Sequence, residues 1–150
     1  FAVRHILESL TMLEYLPKGS RFADVGTGGG LPAIPCLLVR GDLRAVLIES
    51  KEKKTKFLEL AVAALGIADR AAVTNKQFQE VDPANAETIT CRALDKFTEK
   101  LAGLLRWRKR RQMLLFGGPS LREALTRNKA VFIEKLMPMS EQRYLFVVNR

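Results

Sequence analysis

The chain has little of the chemistry that binds metals or makes covalent cross-links. It contains one histidine and only two cysteines, Cys36 and Cys91, which lie far apart in apolar surroundings. A zinc site needs a close cluster of such ligands, so we expect no metal site and two reduced, buried thiols. No apolar run approaches the ~20 residues that span a bilayer, and no signal-peptide pattern opens the sequence. We therefore expect a cytoplasmic protein.

The sequence is long enough to form one hydrophobic core, and it carries an excess of positive charge. Its 150 residues predict a single domain, residues 1–150, and its first residue, Phe1, falls inside a predicted helix. We therefore expect that an N-terminal portion is missing. The net charge of +9 favours a polyanionic partner such as nucleic acid, because Lys and Arg release counterions from phosphates. The alternative is a basic surface with no partner.

The rest of the chain is organised around a glycine-rich segment, residues 22–35. Phe22 to Val25 form a short apolar run that predicts a buried strand, and glycine occupies positions 26, 28, 29 and 30. Without Cβ atoms, such a turn brings backbone N–H groups close to a ligand. Pro32 suits the first turn of the helix that follows. A strand, a glycine turn and a helix in this order form the nucleotide-cofactor cradle of α/β sheets.

The spacing of the glycines decides between cofactors. The dinucleotide pattern G-x-G-x-x-G would place its third glycine at position 31, where this chain has Leu31. The order Asp24-x-Gly26-x-Gly28-x-Gly30 instead resembles motif I of S-adenosylmethionine-dependent methyltransferases. Asp24 would then face the methionine ammonium, directly or through water. The alternative is a purely structural glycine turn.

A carboxylate follows the next predicted strand. Residues 44–48 are apolar enough for a second strand, and Glu49 comes directly after it. An acid at this point, about 20 residues past the glycines, usually binds the ribose hydroxyls of the cofactor. The alternative is a surface carboxylate at a strand end.

The remaining pattern predicts an α/β fold. Further strands are expected at 71–74, 88–91, 112–116, 131–133 and 144–148, with helices at 1–16, 31–39, 50–65, 95–105 and 121–127. Their alternation predicts a doubly wound, mostly parallel sheet, closed by an antiparallel hairpin because the last two strands have no room for a crossover helix.

Two helices have pronounced patterns. In the first, an apolar stripe lies on one face, and Arg4 and His5 flank it as expected solvated residues; the stripe comprises Val3, Ile6, Leu7, Leu10, Leu13 and Leu16. In the helix at 50–65, Ser50 is a plausible cap, and the expected apolar face comprises Phe57, Leu58, Ala61, Val62 and Leu65. Its first turns carry Lys51, Lys53, Lys54 and Lys56, although positive charge there opposes the helix dipole. Contact with RNA phosphate or a cofactor carboxylate would explain these lysines, and so would a solvated face.

A second basic segment covers residues 106–111, with five basic residues around Trp107. Arg108, Lys109 and Arg110 could hold phosphate while the indole stacks on a base. The alternative is a basic loop with Trp107 packed on the sheet.

Several segments together resemble one family: Arg4-His-Ile-Leu-Glu-Ser9, the stretch from Asp24 to Pro35, Leu47-Ile-Glu-Ser50 with Lys53-Lys54 and Phe57-Leu58, and Cys91-Arg-Ala93. The family is that of the bacterial small-subunit (16S) ribosomal RNA guanine-N(7) methyltransferases, also known as the glucose-inhibited division protein B family. The resemblance runs from Arg4 to about Ala93 and is weaker across the final strands.

The resemblance implies a class I methyltransferase fold with S-adenosylmethionine as cofactor and a guanine of ribosomal RNA, or of the small ribosomal subunit, as substrate. It implies cofactor contacts at Gly26, Leu31, Gln77, Phe78 and Arg92. Because N(7) carries no proton, catalysis would need positioning rather than a base or a metal. Arg92 is the candidate for orientation, and an ion pair with Asp24 or Glu49 is its structural alternative. We expect a monomer.

Three departures from the family pattern affect the substrate side. After the third strand the family usually has Arg, one residue and Glu, whereas this chain has Lys76-Gln-Phe-Gln-Glu80. After the fifth strand the family often has Lys-Gly, but this chain has Phe116-Gly-Gly118. The family's N-terminal helical extension is absent or truncated. A methyltransferase of this fold with another substrate, or a non-catalytic RNA-binding module, therefore stays an alternative.

Overall fold

The computed structural model describes residues 2–83, 85–92 and 96–149. In chain order the regular elements alternate between helices and strands: α1 (Ala2–Leu10), β1 (Arg21–Val25), α2 (Ala33–Val39), β2 (Arg44–Ile48), α3 (Glu52–Ala64), β3 (Ala71–Thr74), β4 (Thr88–Cys91), α4 (Phe97–Trp107), β5 (Gln112–Gly117), α5 (Pro119–Arg127), β6 (Phe132–Leu136) and β7 (Tyr144–Val148). Two short 3-10 segments, Thr11–Tyr15 and Phe78–Glu80, complete the list. The predicted start of the fourth helix at Asp95 lies outside the described residues.

The seven strands form one sheet in the order β3-β2-β1-β4-β5-β7-β6. The first five strands are parallel, and β7 pairs antiparallel with both β5 and β6. The predicted mostly parallel sheet with a closing antiparallel hairpin is confirmed. Strand order reverses between β1 and β4, and ligands of such sheets bind where parallel strands end at this point. We call the side where β1, β2 and β4 end, at Gly26, Glu49 and Arg92, the carboxyl edge.

Apolar residues on both faces of the sheet hold the helices in place. One cluster includes Phe22, Leu37, Leu47 and Leu58; the other includes Ile89, Leu101, Leu104 and Phe146. All four residues of β4 are buried, as expected for a central parallel strand covered on both sides. Cys36 and Cys91 are both buried, as predicted. Among the described residues, no helix is long and apolar enough to cross a membrane.

Two helical predictions are wrong in detail. The first helix is not continuous to residue 16, because α1 ends at Leu10 and a 3-10 segment follows. Its apolar stripe does not face the core throughout: Val3, Ile6 and Leu7 are 66%, 45% and 40% exposed, while Glu8 and Ser9 are buried. Ionic contacts made by Glu8, described below, set this orientation.

The third helix also differs from its sequence pattern. Lys51, not Ser50, is the N-cap of α3, and no side chain caps the helix. Thr55, Leu58 and Val62 are buried, whereas Phe57 and Leu65, expected in the apolar face, are 55% and 46% exposed. The exposed lysines of its first turns lie at the carboxyl edge, because α3 begins shortly after the end of β2.

Candidate active site at the carboxyl edge

The glycine loop after β1 has a backbone that favours glycine. Gly26, Gly28 and Gly30 have φ angles of 66°, 53° and 93°, in the left-handed region that other residues rarely adopt. The N–H of Gly26 donates to Ile48 O of β2 at 2.9 Å. A Cβ at Gly30 would collide with the Ile34 side chain of α2. The loop is therefore fixed between β2 and α2, and the predicted order of strand, glycine turn and helix is confirmed.

Glu49 links this loop to the start of α3. Its side chain is nearly buried, and Oε1 accepts the Gly28 N–H at 3.0 Å while Oε2 accepts the Lys51 N–H at 2.9 Å. Asn75, which the sequence did not single out, donates from Nδ2 to the carbonyls of Glu49 and Ser50 at 3.0 and 3.1 Å. Glu49 is therefore not a free surface carboxylate. Each of its oxygens keeps a further lone pair for a hydroxyl group.

Asp24 lies deeper, within β1. It is fully buried, and its Oδ1 accepts a hydrogen bond from Thr90 Oγ1 of the adjacent strand β4 at 2.7 Å. Burial raises the pKa of Asp24 to about 7, against the hydrogen bond from Thr90, which lowers it. Its second oxygen, Oδ2, makes no well-formed hydrogen bond in the described part of the chain, although the Thr27 hydroxyl is close enough to lower the pKa of Asp24. Asp24 therefore has an unused acceptor beside the glycine loop.

Unpaired buried polar atoms are concentrated at this edge. Of the four side-chain atoms in this condition among the described residues, three belong to Asp24 (Oδ2), Thr27 (Oγ1) and Arg92 (Nε), and the fourth belongs to Ser20 before β1. A buried polar atom without a partner costs about 1–3 kcal/mol, so a folded domain rarely keeps several together. An acceptor on Asp24, within β1, and a donor on Arg92, just after the adjacent strand β4, fit a ligand with both an ammonium and a carboxylate.

Arg92 is paired differently from the structural alternative considered in the sequence analysis. Its Nη2 lies 3.7 Å from Oε2 of Glu8 and also contacts Nδ1 of His5. Asp24 attracts the Arg92 guanidinium at longer range. Burial and the nearby Arg143 lower the pKa of Arg92, and Glu8 and Asp24 oppose this shift. His5, expected to be solvated, is instead half-buried against Arg92, and burial and Arg92 lower its pKa.

A small cleft lies beside the start of the glycine loop. It is lined by Val25, Gly26, Ile48, Ser50, Lys76, Gln77 and Phe78. Three of the residues predicted from the resemblance, Gly26, Gln77 and Phe78, therefore meet at one cleft. Leu31 is half-buried in the turn before α2, and it is not among the residues that line this cleft.

The altered segment 76–80 has a defined role in this cleft. Glu80 accepts the N–H of Gln77 at 3.0 Å, which begins the short 3-10 segment. Phe78 is almost completely buried and packs edge-on against Trp107, with ring centroids 5.4 Å apart. Trp107 Nε1 donates to the Val81 carbonyl at 2.8 Å. This geometry favours the packing role for Trp107 over stacking on a base.

The residues predicted to contact RNA fall into two groups. Lys53 and Lys54 are exposed on α3 at the carboxyl edge, and Arg4 of α1 pairs with Glu8 at 3.3 Å while remaining 40% exposed. Arg108, Lys109 and Arg110 lie between α4 and β5, where β5 begins, at the opposite edge of the sheet. Arg108 Nη1 donates to the Asn149 carbonyl at 2.6 Å. The structure therefore does not bring the second group to the glycine loop.

The fold and the glycine loop define a class: the chain has the Rossmann-like architecture of S-adenosylmethionine-dependent methyltransferases. Solved structures with a similar fold include two from bacteria. A protein of the NADB-Rossmann superfamily from Streptococcus agalactiae has a TM-score of 0.78 and 20% identity, over 95% of this chain and 67% of its own. An RNA methyltransferase from Salinibacter ruber, in complex with S-adenosyl-L-homocysteine, has a TM-score of 0.68 and 16% identity, over 94% and 89%.

Sequence comparison specifies the family within this class. The family described as rRNA small subunit methyltransferase G (GidB) matches residues 1–144, and the chain belongs to it. A relative named ribosomal RNA small subunit methyltransferase G, from Neisseria meningitidis serogroup C, is 40% identical over 105 residues, which cover 70% of this chain and 48% of that protein. The chain thus spans about half the length of the curated relatives it matches. The family resemblance stated from the sequence is confirmed.

Proposed function

We propose that this chain binds S-adenosyl-L-methionine and transfers its methyl group to N(7) of a guanine in small-subunit ribosomal RNA. The observation that carries the cofactor part is the pair of unused buried atoms, Asp24 Oδ2 and Arg92 Nε, beside the glycine loop. The amino-acid part of the cofactor has an ammonium group that Asp24 Oδ2 would accept from, and a carboxylate that Arg92 Nε would donate to. Membership of the family supports the RNA substrate.

The residues that would hold the cofactor lie around the loop. Asp24 and Arg92 would bind its amino-acid part, Glu49 would accept the ribose hydroxyls, and the cleft with Gln77 and Phe78 would receive the base. Gly26 and Gly28 would let the backbone approach, and Leu31 would pack on the ligand. Thr27 Oγ1 offers one further unpaired hydroxyl.

The reaction asks little of the protein beyond positioning. The bound cofactor supplies a methyl group on a sulfonium centre, and guanine N(7) has an available lone pair and no proton to lose. No general base is needed, and we assign no catalytic residue; Arg92 is the candidate for orienting the reactants. The protein's contribution is to align the two reactants and to exclude water. The transfer uses no metal.

The proposed RNA contacts are basic side chains. Lys53 and Lys54, which are exposed at the carboxyl edge, and Arg4, which is 40% exposed on α1, would meet phosphates near the reacting guanine. Arg108, Lys109 and Arg110 would bind RNA farther away, at the opposite edge. The net charge of +9 agrees with such a partner. We further propose that residues 1–150 form a single methyltransferase domain that acts as a monomer in the cytoplasm, on ribosomal RNA or on the small subunit.

The test is a comparison of ribosomal RNA from cells with and without the gene. Small-subunit RNA is digested to nucleosides, and 7-methylguanosine is measured by mass spectrometry. We expect one such nucleotide to be lost in the deletion strain and restored by the intact gene, but not by a Gly28→Val copy. An unchanged nucleoside profile would refute the RNA substrate.

Binding measurements separate the alternatives. Titration of the purified protein with S-adenosylhomocysteine, followed by calorimetry, should show one site. Binding without any change in 7-methylguanosine would favour a methyltransferase with another substrate. An absence of binding, together with retained RNA affinity, would favour a non-catalytic RNA-binding module.

A further inference from the structure

The carboxyl edge holds a charge cluster that the cofactor contacts do not explain. Glu8 of α1 is fully buried, and three arginines from separate parts of the chain surround its carboxylate. Arg143, just before β7, contacts both oxygens, with Nε and Nη2 at 3.0 and 2.9 Å. Arg92 lies 3.7 Å from Oε2, and Arg4 lies 3.3 Å from Oε1. One buried carboxylate therefore lies beside three guanidinium groups.

This arrangement is not what apolar packing alone would produce. The amphipathic pattern of α1 favours burying Val3, Ile6 and Leu7, yet these side chains are exposed and Glu8 points inward. Burying a carboxylate requires several charged partners to offset the loss of hydration. Burial is the strongest single influence and opposes the ionised form, but the hydrogen bonds and charge of Arg143, with the charge of Arg92 and the hydrogen bond from Arg4, together outweigh it, so the pKa of Glu8 is lowered. The helix is therefore oriented by its contacts with Arg92 and Arg143.

The consequence for Arg92 is a fixed guanidinium. Its Nη2 is directed to Glu8 and His5, while its Nε is buried and has no partner in the part of the chain that the structure describes. Without Glu8, Nη2 would lose its anion, and the guanidinium could turn toward solvent. Glu8 thus occupies Nη2 of Arg92 and leaves Nε as the donor for a ligand.

We propose that Glu8 is a positioning residue, which holds Arg92 so that its Nε meets the carboxylate of the cofactor's amino-acid part. This inference rests on the proposed function, because it concerns how the same cofactor is bound. It adds a residue of α1 to a site that otherwise consists of strand ends and the loops after them. Glu8 itself touches no ligand in this arrangement.

The test compares two ligands that differ in the amino-acid part, which carries the carboxylate that Arg92 would bind and the ammonium that Asp24 would bind. S-adenosylhomocysteine has the amino-acid group, and 5′-methylthioadenosine lacks it. In Glu8→Gln we expect the affinity for S-adenosylhomocysteine to fall about tenfold, as loss of one charged hydrogen bond would give. The affinity for 5′-methylthioadenosine should stay unchanged. Calorimetry on the purified chain measures both.

The outcomes separate positioning from a merely structural role. An equal loss for both ligands, or no loss for either, would overturn the proposal while leaving the proposed function intact. If the wild-type chain bound neither ligand, both this proposal and the proposed function would be refuted. Circular dichroism and thermal melts check that each variant is folded.

Two further variants keep the test decisive. Glu8→Asp retains the charge on a shorter side chain, so its loss should be selective for S-adenosylhomocysteine but smaller; it also replaces the Gln variant if that one does not fold. Glu14→Gln is the matched control, because Glu14 pairs with Lys135 on the surface. It removes a carboxylate just after α1 and should change neither affinity.

Discussion

The protonation of Asp24 gives a prediction with a definite sign. Its pKa is raised to about 7 in the ligand-free domain, and only the ionised form offers Oδ2 as a full negative partner for an ammonium. Binding of S-adenosylhomocysteine should therefore weaken as the pH falls below 7. With a pKa of 7, the ionised fraction drops about tenfold between pH 8 and pH 6, which corresponds to about 1.4 kcal/mol of binding free energy.

The assay is isothermal titration of the purified chain with S-adenosylhomocysteine at pH 6, 7 and 8. At pH 7 binding should release about half a proton from Asp24, so the observed heat should depend on the ionisation enthalpy of the buffer. Asp24→Asn should bind more weakly, and its affinity should not change with pH. The control Asp69→Asn removes an exposed carboxylate and should keep the wild-type pH profile.

Equal affinity at pH 6 and pH 8 would refute this assignment of Asp24. An unchanged pH dependence of binding in Asp24→Asn would also refute it. That result would mean that another group titrates, and His5 beside Arg92 would be the first candidate. The same raised pKa has an opposite effect on the unliganded fold. Because the folded state binds the proton more tightly than the unfolded chain, the contribution of Asp24 to the free energy of unfolding should decrease as the pH rises from 3.8 to about 7.

Three further predictions concern the loop and the surface. Gly28→Val should abolish S-adenosylhomocysteine binding in calorimetry yet leave a folded domain, because a Cβ there has space, with Gly26 O at 3.8 Å, and only the positive φ is strained. Gly30→Ala should lower the free energy of unfolding, measured with urea, by about 2–4 kcal/mol, because its Cβ overlaps Ile34 and its φ is 93°. Gly29→Ala is the control and should lower it little, because a Cβ there meets open space. Equal losses in the two variants would contradict the geometry. Lys53→Ser with Lys54→Ser should lower RNA affinity and reduce its salt slope by about 2, measured by filter binding at several salt concentrations, and replacing Arg108, Lys109 and Arg110 provides the comparison at the opposite edge.

Much of the sheet could be predicted from local pattern. The bounds of β2, β3, β4 and β7 agree with the prediction, because each is a short apolar run that ends at a turn or a charged residue. The glycine loop and Glu49 could be located for the same reason: their spacing follows from the strand–turn–helix–strand unit. Such features depend on neighbours along the chain, which a sequence shows directly.

The features that could not be predicted depend on residues far apart in sequence. The inward position of Glu8 depends on Arg92 and Arg143, which are 84 and 135 positions away in the printed numbering and carry no local signal. The helical stripe of α1 therefore suggested the wrong buried face. Asn75, which binds the end of β2, was missed because one polar residue after a strand is common in turns.

The position of β7 has a consequence for how this domain folds. β7 inserts between β5 and β6, although it follows both of them in the chain, and Arg143 at its start reaches back to Glu8. During synthesis, β1 to β5 can pair as they leave the ribosome, but the position between β5 and β6 stays open until β7 arrives. Because non-local contacts form late and slowly, α1 and Arg92 can reach their final arrangement only after the hairpin closes. The binding site is thus completed by β7, and a nascent chain in which this strand has not yet formed would have the glycine loop without a fully anchored Arg92.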